Sequence, residues 1–202
     1  MQTMSPATKC LVFAFCVSLG SAAVAQTINK SRLEAYRAEY KDAATPVKYV
    51  LVHADGSPCC GNEANTRAYL LDITAPAPAK LKHSAEIDRL LKEKFEVEID
   101  NESVLKQPQG DFLVVTMLRP AEYNKKYVPC AGGMGESRAY LVSIDADNAT
   151  VLNREFGDCG REYKIINDGT DVGYEVSDVG THANPIRYLV HGNKVVRQNG
   201  AR

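Results

Sequence analysis

One pattern of residues occurs twice in the chain, and it constrains the fold more than any other feature. Residues 58–73 read PCCGNEANTRAYLLDI, and residues 129–144 read PCAGGMGESRAYLVSI. Aligned without a gap, the two copies are identical at seven of the thirteen positions from the proline to the leucine. Each copy places a cysteine and a glycine in a loop and then continues as Arg-Ala-Tyr-Leu, which is typical of a β-strand. We therefore expect a duplicated unit in which a cysteine-anchored loop enters a strand.

The first 25 residues have the features of a secretory signal peptide. Lys9 supplies a positive charge, an apolar run follows from Cys10 to Leu19, and Ala23-Val24-Ala25 forms a small-residue cleavage site. The apolar run is shorter than the roughly 20 residues that a membrane-spanning helix needs. We predict cleavage after Ala25 and a periplasmic or extracellular mature protein, residues 26–202, that forms one domain without a membrane span.

The charge of the mature chain limits the classes of partner that it can have. The sequence contains 24 basic and 25 acidic residues, of which only Lys9 lies in the leader. The remaining charges of both signs are interspersed and form no basic stripe, which argues against nucleic acid and anionic membranes as partners. We expect the partner to be another protein or a component of the cell envelope, and we expect no cofactor.

Four cysteines remain after the leader, and in an exported chain they indicate disulfide bonds. They are Cys59, Cys60, Cys130 and Cys159. The adjacent pair lacks the C-x-x-C spacing of thioredoxin-like redox sites, and the set lacks the paired spacing of structural zinc, so we expect no metal site. Two pairings stay open. The first joins Cys130 to Cys159 and leaves Cys59 and Cys60 as a vicinal bridge or a free pair. The second joins Cys59 to Cys130 and Cys60 to Cys159.

Hydrophobic periodicity predicts an α+β fold. Helices are expected at about 31–42, where Ser31 and Glu34 form a capping box, and at about 85–94, after Ser84 as N-cap. Strands are predicted at 47–53, 66–74, 95–99, 111–118, 137–145, 150–156, 161–167, 173–177, 186–191 and 194–197, with a polar break at 101–110 and an extended connector at 75–78. Because consecutive hairpins pair antiparallel, we expect a single, mostly antiparallel sheet domain with one or two packed helices, internally duplicated and disulfide-stapled.

The variable loop residues and the arginines that follow them are the candidate binding residues. The first loop contains Glu63, the second contains Met134 and Glu136, and Arg67 and Arg138 begin the two strands. An arginine and a tyrosine two positions apart on a strand share one face. That face is either a ligand surface or a solvated surface on which the arginine stacks on the tyrosine. Loops on a rigid sheet carry function more often than the sheet does, so we favour the two cysteine loops as the binding surface.

These features lead to three hypotheses about function. The leading one is a secreted or periplasmic binding protein without catalysis, such as an inhibitor, an immunity-type protein or a sensor. The first alternative is a secreted hydrolase, because two carboxylates about 5–10 Å apart can perform acid–base chemistry on a glycoside. Its candidates, Glu63 and Glu136, are two positions out of register in the repeat, which weakens a symmetric role. The second alternative is a structural protein of the envelope.

Overall fold

The computed structural model describes residues 26–60, 67–123, 135–192 and 194–199. The predicted leader, Glu63, Cys130 and Met134 lie outside the described residues. The described helices are α1 (Lys30–Glu39) and α2 (Ala85–Lys92). The described strands are β1 (Thr27–Ile28), β2 (Tyr49–Val52), β3 (Tyr69–Asp72), β4 (Ala79–His83), β5 (Glu96–Gln107), β6 (Gly110–Arg119), β7 (Glu136–Ile144), β8 (Ala149–Asp158), β9 (Arg161–Asn167), β10 (Val172–Asp178), β11 (Ile186–His191) and β12 (Lys194–Asn199).

The strands form two antiparallel sheets, where a single sheet was expected. The small sheet has the order β1-β4-β3-β2, and the large sheet runs in chain order from β5 to β12. Every connection in the large sheet joins neighbouring strands, as the hairpin turns predicted. The prediction of a mostly antiparallel α+β fold with one or two helices is therefore confirmed, with the strands divided between two sheets.

The large sheet is almost divided between β8 and β9. Among the described residues, the register of these two strands consists of one pair, Asp158 with Arg161. Beyond this corner the two halves of the sheet pack face to face, and the Tyr174 hydroxyl of β10 donates a hydrogen bond to the Ser103 carbonyl of β5 at 2.8 Å. The buried side chains between the halves are Phe112, Val114, Ala139, Leu141, Phe156, Tyr174, Val176, Tyr188 and Val190.

The opposite face of β6 and β7 forms a second core with α2 and the small sheet. Side chains alternate along a strand, so Leu113 and Val115 face this core while Phe112 and Val114 face the first one. Leu70 of the small sheet packs in the same core. Helix α1 covers the other face of the small sheet, where its residues share a third core with β2, β3 and β4.

Helix α1 begins earlier than the sequence pattern predicted. Its N-cap is Asn29, whose side-chain oxygen accepts a hydrogen bond from the backbone N–H of Arg32 at 3.0 Å. The predicted capping box of Ser31 and Glu34 is therefore wrong, because an asparagine two residues earlier caps a helix as well as a serine does. Glu34 instead lies 3.7 Å from the ammonium group of Lys30, one turn before it.

The junction of the two sheets contains the largest differences from the predicted elements. Strand β5 continues through 101–107, where a polar break was predicted, and it contains a register shift there. The Asn101 amide accepts from the N–H groups of Lys48 and Tyr49 at 2.8 Å each and donates to the Tyr49 carbonyl at 3.0 Å. These polar residues join the sheets instead of ending the strand. Strand β4, which was not predicted, pairs with both β1 and β3.

Candidate functional site

Each copy of the repeated pattern connects the two strands of an antiparallel hairpin. Strand β2 pairs with β3 in the first copy, and β6 pairs with β7 in the second. Tyr69 lies in the core that contains α1, and Tyr140 lies in the core that contains α2. The alanine and leucine of each copy lie in the core on the opposite face of the strand. In both strands, therefore, the repeated tyrosine faces one core, and the repeated alanine and leucine face the core on the other side.

A buried carboxylate lies between two arginines at the start of the second strand. Glu136 is 1% exposed and is the register partner of Arg119, the last residue of β6. Arg119 donates to Oε2 of Glu136 through Nε at 3.1 Å and also through Nη2. Arg138 donates to Oε1 of Glu136 through Nε at 2.5 Å. We call Arg119, Glu136 and Arg138 the β7 arginine cluster. It carries two positive charges against one negative charge.

Aromatic side chains fix the orientation of this cluster. The guanidinium carbons of Arg119 and Arg138 lie 4.5 and 5.2 Å from the centroid of the Phe95 ring, a favourable cation–π distance. Arg138 also donates through Nη1 to the Tyr140 hydroxyl at 3.3 Å, so the expected shared face of this arginine and tyrosine is confirmed. Burial alone would lower the pKa of Arg138, but hydrogen bonds to Tyr140 and Glu136 outweigh it and raise the pKa. The guanidinium therefore stays charged.

The residues of the β7 arginine cluster differ in how far their side chains are exposed. The side chain of Arg138 is 34% exposed, whereas that of Arg119 is 14% exposed. Glu136 lies at the base of the hairpin and not at a loop tip, and its oxygens accept from the two guanidinium groups. Sequence reasoning missed Arg119 and Phe95, because only the register of β6 and β7 and the packing of α2 bring them beside Glu136.

The cysteines of the first copy form a vicinal bridge. Cys59 and Cys60 are disulfide-bonded to each other across a cis peptide bond, as the first predicted pairing allowed. The Cys59 N–H donates to the Leu51 carbonyl at 3.1 Å, which ties the bridge to β2. Cys159 is also disulfide-bonded. Its predicted partner, Cys130, lies outside the described residues.

Arg67, the counterpart of Arg138, has a more exposed setting. Its side chain is 74% exposed, and its Nε lies 3.9 Å from Oδ2 of Asp88 on α2. Asp88 is 7% exposed, and its Oδ1 accepts from the Ala68 N–H at 3.1 Å. Its Oδ2 lies 2.8 Å from Nε2 of His83. Asp88 thus anchors the start of β3 to α2, and within the described residues a long ion pair with it directs Arg67.

Helix α2 is the element that both copies share. Asp88 holds the start of β3, and the Glu93 carbonyl at the end of the helix accepts from Nη1 of Arg119 at 3.5 Å. Five residues of an α-helix span about 7 Å, so these two contacts are close together. Helix α2 therefore contacts the strand that leaves the first cysteine loop and the strand that enters the second, with Arg67 and Arg138 on separate partners.

Other kinds of site find no support in the part of the chain that the structure describes. Within residues 26–60, 67–123, 135–192 and 194–199, no group of three or more His, Cys, Asp or Glu side chains is placed to hold a metal ion. No helix within the same ranges is long and apolar enough to cross a membrane. The chain matches no protein-family model, no curated protein and no solved structure. Function is therefore inferred from the geometry of the site.

Proposed function

We propose that this chain is an exported, non-catalytic binding protein that recognises another protein or an envelope component through the loops and arginines of its repeated motif. The observation that carries the proposal is the half-exposed guanidinium of Arg138, held by Glu136, Tyr140 and Phe95. An arginine that is already ordered loses little conformational entropy on binding. Arginine and aromatic residues are also the commonest energetic anchors of protein interfaces.

The neighbouring motif residues extend this surface. Arg67 adds a second cation beside α2, and its guanidinium fork matches a carboxylate on a partner, whereas Arg138 already uses Nε and Nη2 for Glu136. Glu63 and Met134 occupy the same aligned position of the two loops, and this difference would adapt each loop to its own part of the partner. Glu136 contributes indirectly, because it orients Arg138.

We also infer that the fold arose by internal duplication within one domain, residues 26–202. The identical motif residues support this, and so does the antiparallel hairpin that flanks the loop in each copy. In this proposal Cys59–Cys60 and Cys130–Cys159 anchor the two loops, and export after cleavage at Ala25 supplies the oxidising compartment that such bonds need.

The hydrolase alternative is less well supported by the geometry. It requires Glu136 to face a substrate together with Glu63. Glu136 is 1% exposed, and its oxygens accept from Arg119 and Arg138. A carboxylate in that setting has no free path to a glycosidic bond. No specific observation favours a structural envelope role.

The proposal is tested by capture from the compartment in which the protein would act. Tagged mature protein is incubated with the periplasmic or culture-medium fraction, and retained proteins are identified by mass spectrometry. We expect a partner that wild type retains and that Arg138→Ala retains about tenfold less, as loss of an interface anchor would produce. Arg154→Ala is the matched control, because Arg154 is a strand arginine, 64% exposed and 3.0 Å from Glu86. Equal retention by all three proteins would contradict the proposal.

A further inference from the structure

A cavity of about 650 Å³ opens between the two halves of the large sheet. It exists because β8 and β9 separate after the single pair of Asp158 with Arg161. Its lining comes from β7, β8, β9, β11 and β12 and combines apolar side chains with cations. The volume is within the range of small-molecule sites in proteins.

The charges that line this cavity are unbalanced. Arg161, Lys194 and Arg197 face a single carboxylate, Glu155. Among the described residues, neither Lys194 nor Arg197 forms an ion pair with a carboxylate. Clefts with one sign of charge and low-dielectric walls concentrate ligands of the opposite sign. The cavity therefore favours an anion.

Arg161 supplies an unmet hydrogen-bond donor at the corner of this cavity. Its Nε is buried and has no hydrogen-bond acceptor within the described ranges. The nearest carboxylate oxygen, Oδ1 of Asp178, is 3.9 Å away, which is too far for a hydrogen bond. Its Nη2 donates to the Asn184 carbonyl at 3.4 Å. Since Nε has almost no accessible surface while the side chain as a whole is 26% exposed, a ligand in the cavity meets the exposed part of the guanidinium group.

The rest of the lining separates into polar and apolar parts. The Tyr188 hydroxyl accepts from Nδ2 of Asn153 at 2.9 Å, which leaves its own proton for another acceptor. Tyr188 and Arg197 are cross-strand partners, so their side chains share a face. Leu141 is fully buried beneath the cavity, while Leu152 is 44% exposed at its wall. A ligand with both a charged end and an apolar end fits these two parts.

We propose that this cavity binds a small amphipathic organic anion. Its anionic head group, a carboxylate or a phosphate, pairs with Arg161 and Arg197 and accepts from Tyr188. Its apolar tail packs on Leu141 and Leu152. The site shares no charged residue with the β7 arginine cluster, so it is independent of the motif surface.

The test is isothermal titration of the mature protein with three ten-carbon probes at constant ionic strength: decanoate, decyl phosphate and decan-1-ol. We expect at least one anion to bind at least about tenfold more tightly than the neutral alcohol, since charge-assisted hydrogen bonds discriminate by that much. A preference for decanoate identifies a carboxylate head group, and a preference for decyl phosphate identifies a phosphate. Binding of neither anion, or equal binding of the alcohol, overturns the proposal.

Two substitutions test whether the anion binds in this cavity. We expect Arg161→Gln and Arg197→Gln each to weaken binding of the preferred anion by about tenfold. Arg197 lies on an exposed edge strand, so its variant stays informative if Arg161→Gln fails to fold. Lys106→Gln, on an exposed position of β5 outside the lining, should bind like wild type. Unchanged affinity in a folded Arg197→Gln protein would overturn the assignment.

Discussion

Two arginines hold the same carboxylate, but their surroundings give them different roles. Arg119 is the more buried one, and it contacts Glu136, the Phe95 ring and the Glu93 carbonyl. Arg138 is more exposed and shares Glu136 with it. Removing Arg138 leaves the carboxylate with its more buried partner, whereas removing Arg119 takes that partner away.

Because of this difference, we expect alanine substitution of the two arginines to lower the free energy of unfolding by different amounts. Arg119→Ala should lower the free energy of unfolding by about 3 kcal/mol, as expected when a buried ion pair loses one partner. Arg138→Ala should lower it by about 1 kcal/mol or less, because Arg138 is the less buried of the two and Arg119 still pairs with the carboxylate. Urea unfolding of both variants measures the difference. If Arg138→Ala costs several kcal/mol while binding is intact, the motif is a packing device and the ligand surface lies elsewhere.

Glu175 links three strands through two cations. It lies on β10, 2.7 Å from the Lys164 ammonium of β9 and 3.0 Å from Nε of Arg187 on β11. The hydrogen bond from Lys164 is the main cause that lowers the pKa of Glu175 below its ordinary value of 4.5, and Arg187 adds to it against the raising effect of burial. The ionised carboxylate is thus favoured in the folded state.

The lowered pKa of Glu175 determines the direction in which the stability of the protein changes with pH. Because the folded state has the lower pKa, the stabilisation is fully present above the unfolded-state value of about 4.5 and is lost as the pH falls through the folded-state value. Between about pH 6 and pH 3, wild type should lose more unfolding free energy than Glu175→Gln. Urea titrations at several pH values test this. Equal acid dependence of the two proteins would show that Glu175 does not contribute.

At the scale of elements, one amide on β5 makes three hydrogen bonds between the two sheets. The Asn101 side chain makes three hydrogen bonds to the backbone of Lys48 and Tyr49 on the edge of the small sheet. Its amide has the same donors and acceptors as a strand backbone, so it extends the pairing of β2 toward β5. The Tyr49 hydroxyl also donates to Asp111 of β6 at 2.7 Å, so the junction depends in part on the Asn101 side chain.

Loss of that side chain should weaken the junction measurably. We expect Asn101→Ala to lower the free energy of unfolding by about 2 kcal/mol, because partly buried backbone groups lose their partners. Asn167→Ala, at an exposed position of β9, is the control and should change it by less than about 0.5 kcal/mol. A similar small change in both variants would mean that water replaces the Asn101 bonds.

The same elements show which parts of the fold the sequence could predict. Helix α2 and most strands were predictable, because their apolar spacing reflects the side that they bury. The second half of β5 was not, since its polar residues are satisfied by another sheet that is distant in sequence. The β7 arginine cluster could not be predicted either, because it depends on the register of β6 and β7 that places Arg119 beside Glu136. A capping residue was misassigned because Asn29 and Ser31 are both good N-caps.

For the whole molecule, export and the disulfides form one connected prediction. We expect N-terminal sequencing of exported protein to begin at Gln26, and non-reducing peptide mapping to show Cys59–Cys60 and Cys130–Cys159 without free thiols. Reduction should lower the melting temperature, because each native bridge contributes about 2–4 kcal/mol. Retention of residues 1–25, or ready labelling of Cys130 and Cys159 in native protein, would remove the argument for an oxidising compartment.

The central claim is that the partly exposed guanidinium of Arg138 anchors a partner. Its most direct test is the dissociation constant of the captured partner for wild type, Arg138→Ala, Arg138→Lys and Arg154→Ala. We predict that Arg138→Ala raises the constant by at least about tenfold, that Arg138→Lys recovers only part of this loss because lysine lacks the planar fork, and that Arg154→Ala has no effect. Equal constants for wild type and Arg138→Ala, with both proteins fully folded, would contradict the claim.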